Sequence, residues 1–259
     1  MNDNQEIKHF RSLKIRYIAR DFSNILIVLT ILVVIIALFY VPFHQVIINL
    51  LAPNTESNDL IFLILYLIII LILFWTIFKK LRYAQVNIKQ LIGKLTLRKK
   101  SYLPIIIVII AHELLHRGLN ELSVFFVSIF SPTLVQNTLE QSQQDYIYSS
   151  EQEFIQVTYW VILFITIVLV APITEELLFR GIILHRWALK WGVTPSILLS
   201  SILFGLLHGD IFFASRITLG TIASLLYIKT NMLIIPIIQH GFHNFLAFLN
   251  TFVLLIYPL

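Results

Sequence analysis

The chain has 259 residues, of which 58% are hydrophobic and only 13% charged; it carries a formal net charge of +5 and no cysteine. A soluble domain has about 25% charged residues, so composition excludes an ordinary soluble protein. The missing cysteine excludes thiol catalysis, disulfides and cysteine metal ligands. In chain order, apolar blocks run Ile25–Tyr40, Leu60–Phe78, Tyr102–Phe130, Phe154–Ile173, Leu177–Trp191, Val193–Leu207, Ile211–Ile228 and Met232–Tyr257. They predict an all-α membrane protein, a polytopic bundle of about eight transmembrane helices, because spanning helices satisfy their own backbone hydrogen bonds. A membrane barrel needs alternating strands of about ten residues, and none is visible.

Orientation follows from Lys and Arg. Lys8, Arg11, Lys14, Arg16 and Arg20 precede the first block, and Lys79, Lys80, Arg82, Lys89, Lys94, Arg98, Lys99 and Lys100 lie between the second and third. Pro42–Asp59 and Ser131–Glu153 contain no Lys or Arg and several acids. This alternation predicts a multi-pass protein of the cell membrane with a cytoplasmic N-terminus, and eight spans return the C-terminus to the cytoplasm too. The first block has no A-x-A cleavage site after it and reads as a retained anchor. The basic residues flank spans, so the net charge reflects topology and no nucleic-acid partner is implied. The 79–100 segment reads as an inner-leaflet amphipathic helix or an ordinary connection. The expected division is an N-terminal membrane region, 1–150, with about three spans, and a core, 151–259, that carries the chemistry.

Polar residues inside spans are the functional candidates. The first set is AHELLHRG, residues 111–118. His112 and His116, at i and i+4, share a helix face, and Glu113 completes the H-E-x-x-H pattern of helical zinc proteases, in which it would serve as general base. A catalytic zinc needs a third protein ligand, and Glu175 and Glu176 are the available choices. Without that partner, His112, Glu113, His116 and Arg117 read as a polar interhelical cluster.

The second set is APITEELLFRG, residues 171–181. Pro172 is expected to end the preceding helix, with Thr174 as the N-cap of a new one. Arg180 lies at i+4 from Glu176 and can pair with it, leaving Glu175 about 100° away as a general base. His208 ends the next span, and His240 and Asn244, at i and i+4, lie within the last. Glu175 and His208 are expected at one membrane face, with His240 and Asn244 approaching them in depth. Gly205 and Gly209 form a small-x-x-x-small pair suited to close helix packing.

E-E-x-x-x-R, then F-x-x-x-H from Phe204 to His208, then H-x-x-x-N from His240 to Asn244, resembles the CAAX protease and bacteriocin-processing family of membrane proteins, over residues 154–250. The resemblance implies an intramembrane endopeptidase of glutamate type. Glu175 and His208 would activate water, His240 and Asn244 would form the oxyanion site, and Glu176, Arg180 and Phe204 would support them. The implied partners are a hydrophobic peptide or membrane-protein substrate and the lipid bilayer. No cofactor is required, with zinc at His112 and His116 as the alternative. Non-enzymatic bacteriocin immunity is the rival role, and a proton-coupled transporter a third. No G-x-S-x-G occurs, and Asp210 is the only aspartate in the second half of the membrane region, so serine and aspartyl chemistries fit poorly. The substrate and the oligomeric state are not legible.

Overall fold

The computed structural model describes residues 57–83, 86–93, 99–133, 136, 153–208 and 211–256. The expected first span, Ile25–Tyr40, lies outside them, as do Gly209, Asp210 and most of the acidic loop. Among the described residues every regular element is helical. Helix α1 is Ser57–Tyr83, α2 is the short Ile88–Ile92 and α3 is Lys99–Phe130. Helix α4 covers 153–191, followed by α5 at Val193–Leu207, α6 at Phe213–Thr230 and α7 at Ile234–Ile256.

Among the described residues, three stretches are long and apolar enough to cross a bilayer: Leu63–Tyr83, Tyr102–Phe130 and Val157–Trp191. Their outward faces are apolar. Ile72, Trp75, Leu103, Leu114 and Phe125 are all more than half exposed, the inverse of a soluble surface and what a lipid environment requires. This is a membrane protein.

The expected break at Pro172 does not occur. Residues 153–191 form one helix, in which Ile165–Val170 and Phe179–Leu184 are wound more widely, as π turns, around the α-helical Ala171–Leu178. The fourth and fifth apolar blocks are therefore one helix, and Val157–Trp191, at 35 residues, is about 50 Å long at 1.5 Å per residue. Pro172 has no N–H to give to the carbonyls behind it, and the π turn is the distortion that accommodates it. Thr174 is no N-cap; its hydroxyl donates back to Val170 O at 2.8 Å within the helix. The real stop is Gly192, whose φ of 87° suits glycine.

The 79–100 segment is not one amphipathic helix. α1 ends at Tyr83, α2 occupies Ile88–Ile92 with Asn87 as its N-cap, and α3 begins at Lys99. Leu91 of α2 is buried, and its carbonyl accepts from Leu233 N at 3.2 Å, tying this connection to the start of α7.

The main core lies around the second half of α4. Leu177, Leu178, Ile182, Ile183 and Leu184 pack with Ile77 and Leu81 of α1, Ile197 and Phe204 of α5, and Leu219 and Tyr227 of α6. Helices α5 and α6 pack face to face, α6 also packs on α3 and α7, and α7 lies along the middle of α4. The polar groups of α4, α5 and α7 consequently face inward.

Candidate active site

Glu176 and Arg180 lie on the inner face of α4, one turn apart and almost fully buried. Arg180 Nη1 donates to Glu176 Oε1 at 2.7 Å, the i,i+4 pairing that the spacing predicts. Its Nη2 donates to Gly220 O of α6 at 2.8 Å, and its guanidinium carbon lies 5.0 Å from the Phe204 ring centroid. A charge buried this deeply persists only when paired and hydrogen-bonded. The Gly220 contact was not legible in the sequence.

The same Glu176 Oε1 accepts from His240 Nδ1 at 2.9 Å. This bond fixes the imidazole and turns Nε2 towards Glu175 Oε2, 3.9 Å away. That separation is too long for a direct hydrogen bond and short enough for both atoms to address one small group. Glu175 Oε2 is buried and has no hydrogen-bond partner. The adjacent carboxylates thus differ in environment: Glu176 is locked by Arg180 and His240, whereas Glu175 is partly exposed and uncommitted.

Phe204 links the remaining histidines. Its fully buried ring lies 4.7 Å from the His208 ring, 5.6 Å from His240 and 5.0 Å from Phe179, centroid to centroid. His208 Nδ1 contacts Phe204 O at 2.8 Å. A ring that donates from Nδ1 in its neutral form presents Nε2 as an acceptor.

Asn244, one turn beyond His240 on α7, donates from Nδ2 to Ile167 O at 2.7 Å. Gly241 lies between them, and a Cβ there would meet Val168 O at 3.0 Å. α7 thus makes its close approach where Pro172 leaves carbonyls without donors. The structure brings Glu175, Glu176, Arg180, Phe204, His208 and His240 together across α4, α5 and α7, with Asn244 one turn further along α7 against Ile167.

His112 and His116 belong to a second cluster, between α3 and α7. Neither Glu175 nor Glu176, the expected third partners, belongs to this group; Glu176 is committed to Arg180 and His240. The third member is His243, whose Nδ1 lies 3.0 Å from Glu113 Oε2, while His112 Nδ1 lies 3.2 Å from Glu113 Oε1. His112, Glu113 and His243 form the group, among the described residues, whose donor atoms lie close enough for one metal ion. Sequence reading overlooked His243, although a third polar residue on an apolar stretch was the available signal.

Residues 157–246 match the model of the type II CAAX prenyl endopeptidase Rce1-like family. A human protein, CAAX prenyl protease 2, is 30% identical over 100 residues, covering 30% of this chain. The chain spans about 30% of the length of that curated relative. No solved structure matches. The matched segment holds every member of the first cluster and does not reach His112, Glu113 or His116. Residues 157–246 are thus similar to the type II CAAX prenyl endopeptidase Rce1-like family and to part of the human CAAX prenyl protease 2.

Proposed function

We propose that this chain is an intramembrane endopeptidase of glutamate type that hydrolyses a peptide bond in a hydrophobic peptide or protein segment. The observation that carries the reading is the split between two adjacent glutamates: Glu176, fully buried, anchors Arg180 and His240 at 2.7 and 2.9 Å through one oxygen, while Glu175 is partly exposed and faces His240 Nε2 at 3.9 Å.

In this reading Glu175 takes a proton from water as the water oxygen attacks the scissile carbonyl carbon. His208, its Nδ1 engaged by Phe204 O, offers Nε2 to the second water hydrogen. The developing oxyanion accepts from His240, which donates from Nε2 when it carries both protons, and from the second amide hydrogen of Asn244. Collapse of the tetrahedral intermediate breaks the C–N bond, and the Glu175 carboxylic acid returns its proton to the leaving amine. These steps use side chains alone. The apolar surroundings strengthen each electrostatic contact.

The human relative's name supports a prenylated C-terminal peptide as one substrate class, and a hydrophobic leader peptide is the other. Bacteriocin self-immunity would follow if the peptide cleaved were a bacteriocin. The basic flanks support a cytoplasmic N-terminus. Because the fourth and fifth blocks form one helix, an odd count of crossings would take the C-terminus to the opposite side, which reporter fusions at each end would test. The hydrolase reading is tested with purified protein in liposomes and a panel of farnesylated, unprenylated and leader peptides. At least one peptide is expected to be cut by wild type and not by Glu175→Gln. Equal cutting by both would overturn the assignment.

A further inference from the structure

The α3–α7 cluster has no part in that reaction and lies partly outside the family segment. Its members are deeply buried for titratable groups: His112 is 2% exposed, His116 9% and His243 3%. The three imidazoles pack against one another, with ring centroids 4.2 Å apart for His116 and His243, 5.7 Å for His112 and His243, and 6.0 Å for His112 and His116. Three imidazoles on one tetrahedral ion, with bonds of 2.0–2.1 Å, have centroids about 5 Å apart, and neighbouring donor atoms about 3.3 Å apart. The Glu113 oxygens lie 3.2 and 3.0 Å from His112 Nδ1 and His243 Nδ1.

Hydrogen bonding alone leaves this cluster incomplete. His112 Nε2 and His116 Nδ1 are buried without a partner, a costly state for ring nitrogens in an apolar interior. A side-chain amide stands behind the His116 ring: Asn120 lies 3.1 Å from His116 Nε2, opposite the unpartnered Nδ1. Groups in that position orient and tune imidazole ligands.

We propose that His112, Glu113 and His243, with His116 as the fourth donor, bind one divalent transition-metal ion of the zinc class. Imidazoles with a single carboxylate and no thiolate suit such an ion rather than calcium or magnesium. Four protein donors close the coordination shell, which marks the site as structural. The ion joins α3 to α7 next to Asn244 and one turn from His240, so it positions the helix that carries both. It shares no donor with Glu175, Glu176, His208 or His240, so it stands or falls separately from the hydrolase reading.

The test uses the untagged full chain in detergent, stripped with a chelator, loaded with zinc or cobalt, desalted, and assayed for metal by mass spectrometry. The expected result is about one ion per chain, with cobalt giving the intense visible bands of a tetrahedral site. His112→Ala and His243→Ala should lose the ion while keeping their helicity and elution volume, and Glu175→Gln should retain it. If the alanine variants misfold, Asn120→Ala should still weaken zinc binding by about 10–100-fold. No ion on the wild type, wild-type loading of folded His243→Ala, unchanged affinity in Asn120→Ala, or loss of the ion in Glu175→Gln would each overturn the proposal.

Discussion

Asn244 Nδ2 donates to Ile167 O at 2.7 Å, and the reason lies five residues further along α4. A π turn would pair Ile167 O with the N–H of residue 172, and Pro172 has none. Asn244 supplies the missing donor from a different helix. One side chain therefore repairs the backbone of α4 and sets α7 against it, one turn along α7 from the point where His240 reaches Glu176.

Replacing Asn244 with leucine should leave that carbonyl buried and unpaired, costing about 1–3 kcal/mol. Pro172→Ala restores a backbone N–H, so the double variant should recover part of the loss. Thermal unfolding of the four proteins forms the cycle, and strictly additive losses would show that the two residues are uncoupled.

Arg180 is expected to be among the most sensitive positions. Arg180→Met leaves Glu176 charged in the interior and should destabilise by about 3–5 kcal/mol. Glu176→Gln with Arg180→Met removes both charges and should cost less than Arg180→Met alone. Unfolding midpoints in a fixed detergent measure the difference.

Gly205 marks the closest contact of α5 with α6. A Cβ there would lie 2.5 Å from Ile217 Cγ1 and 2.8 Å from Phe213 O. The second of these is backbone, so the helices must part. Gly205→Ala should cost about 1–3 kcal/mol and reduce activity, because His208 lies one turn further along the chain. Gly118→Ala is the control, since nothing lies within 4 Å of a Cβ there.

The sequence exposes what is local. The i,i+4 spacing from Glu176 to Arg180 leads to a real ion pair, and the ordered motifs mark the helices that meet. It conceals what depends on another helix. Pro172 reads as a helix end because a π turn leaves no periodic trace and its compensating donor, Asn244, lies far along the chain. His112 and Glu113 read as lacking a partner because the approach of α7 to α3, which delivers His243, is a matter of packing. The H-x-x-H-N run from His240 to Asn244 held the clue: two of its polar residues face α4, and the third faces α3.

Glu175→Gln removes the proposed base while preserving the size of the side chain. Because Glu175 does not hold the Arg180 ion pair, the variant should fold with wild-type stability. General-base loss typically costs 10²–10⁴-fold in rate. The decisive measurement is the cleavage rate of one hydrophobic peptide substrate by wild type and Glu175→Gln, at matched amounts of folded protein in liposomes. A fall of about 100-fold or more with unchanged unfolding temperature is the expected result. A Glu175→Gln protein that cuts as fast as wild type, while His112→Ala is inactive, would contradict it and move the chemistry to the α3 cluster.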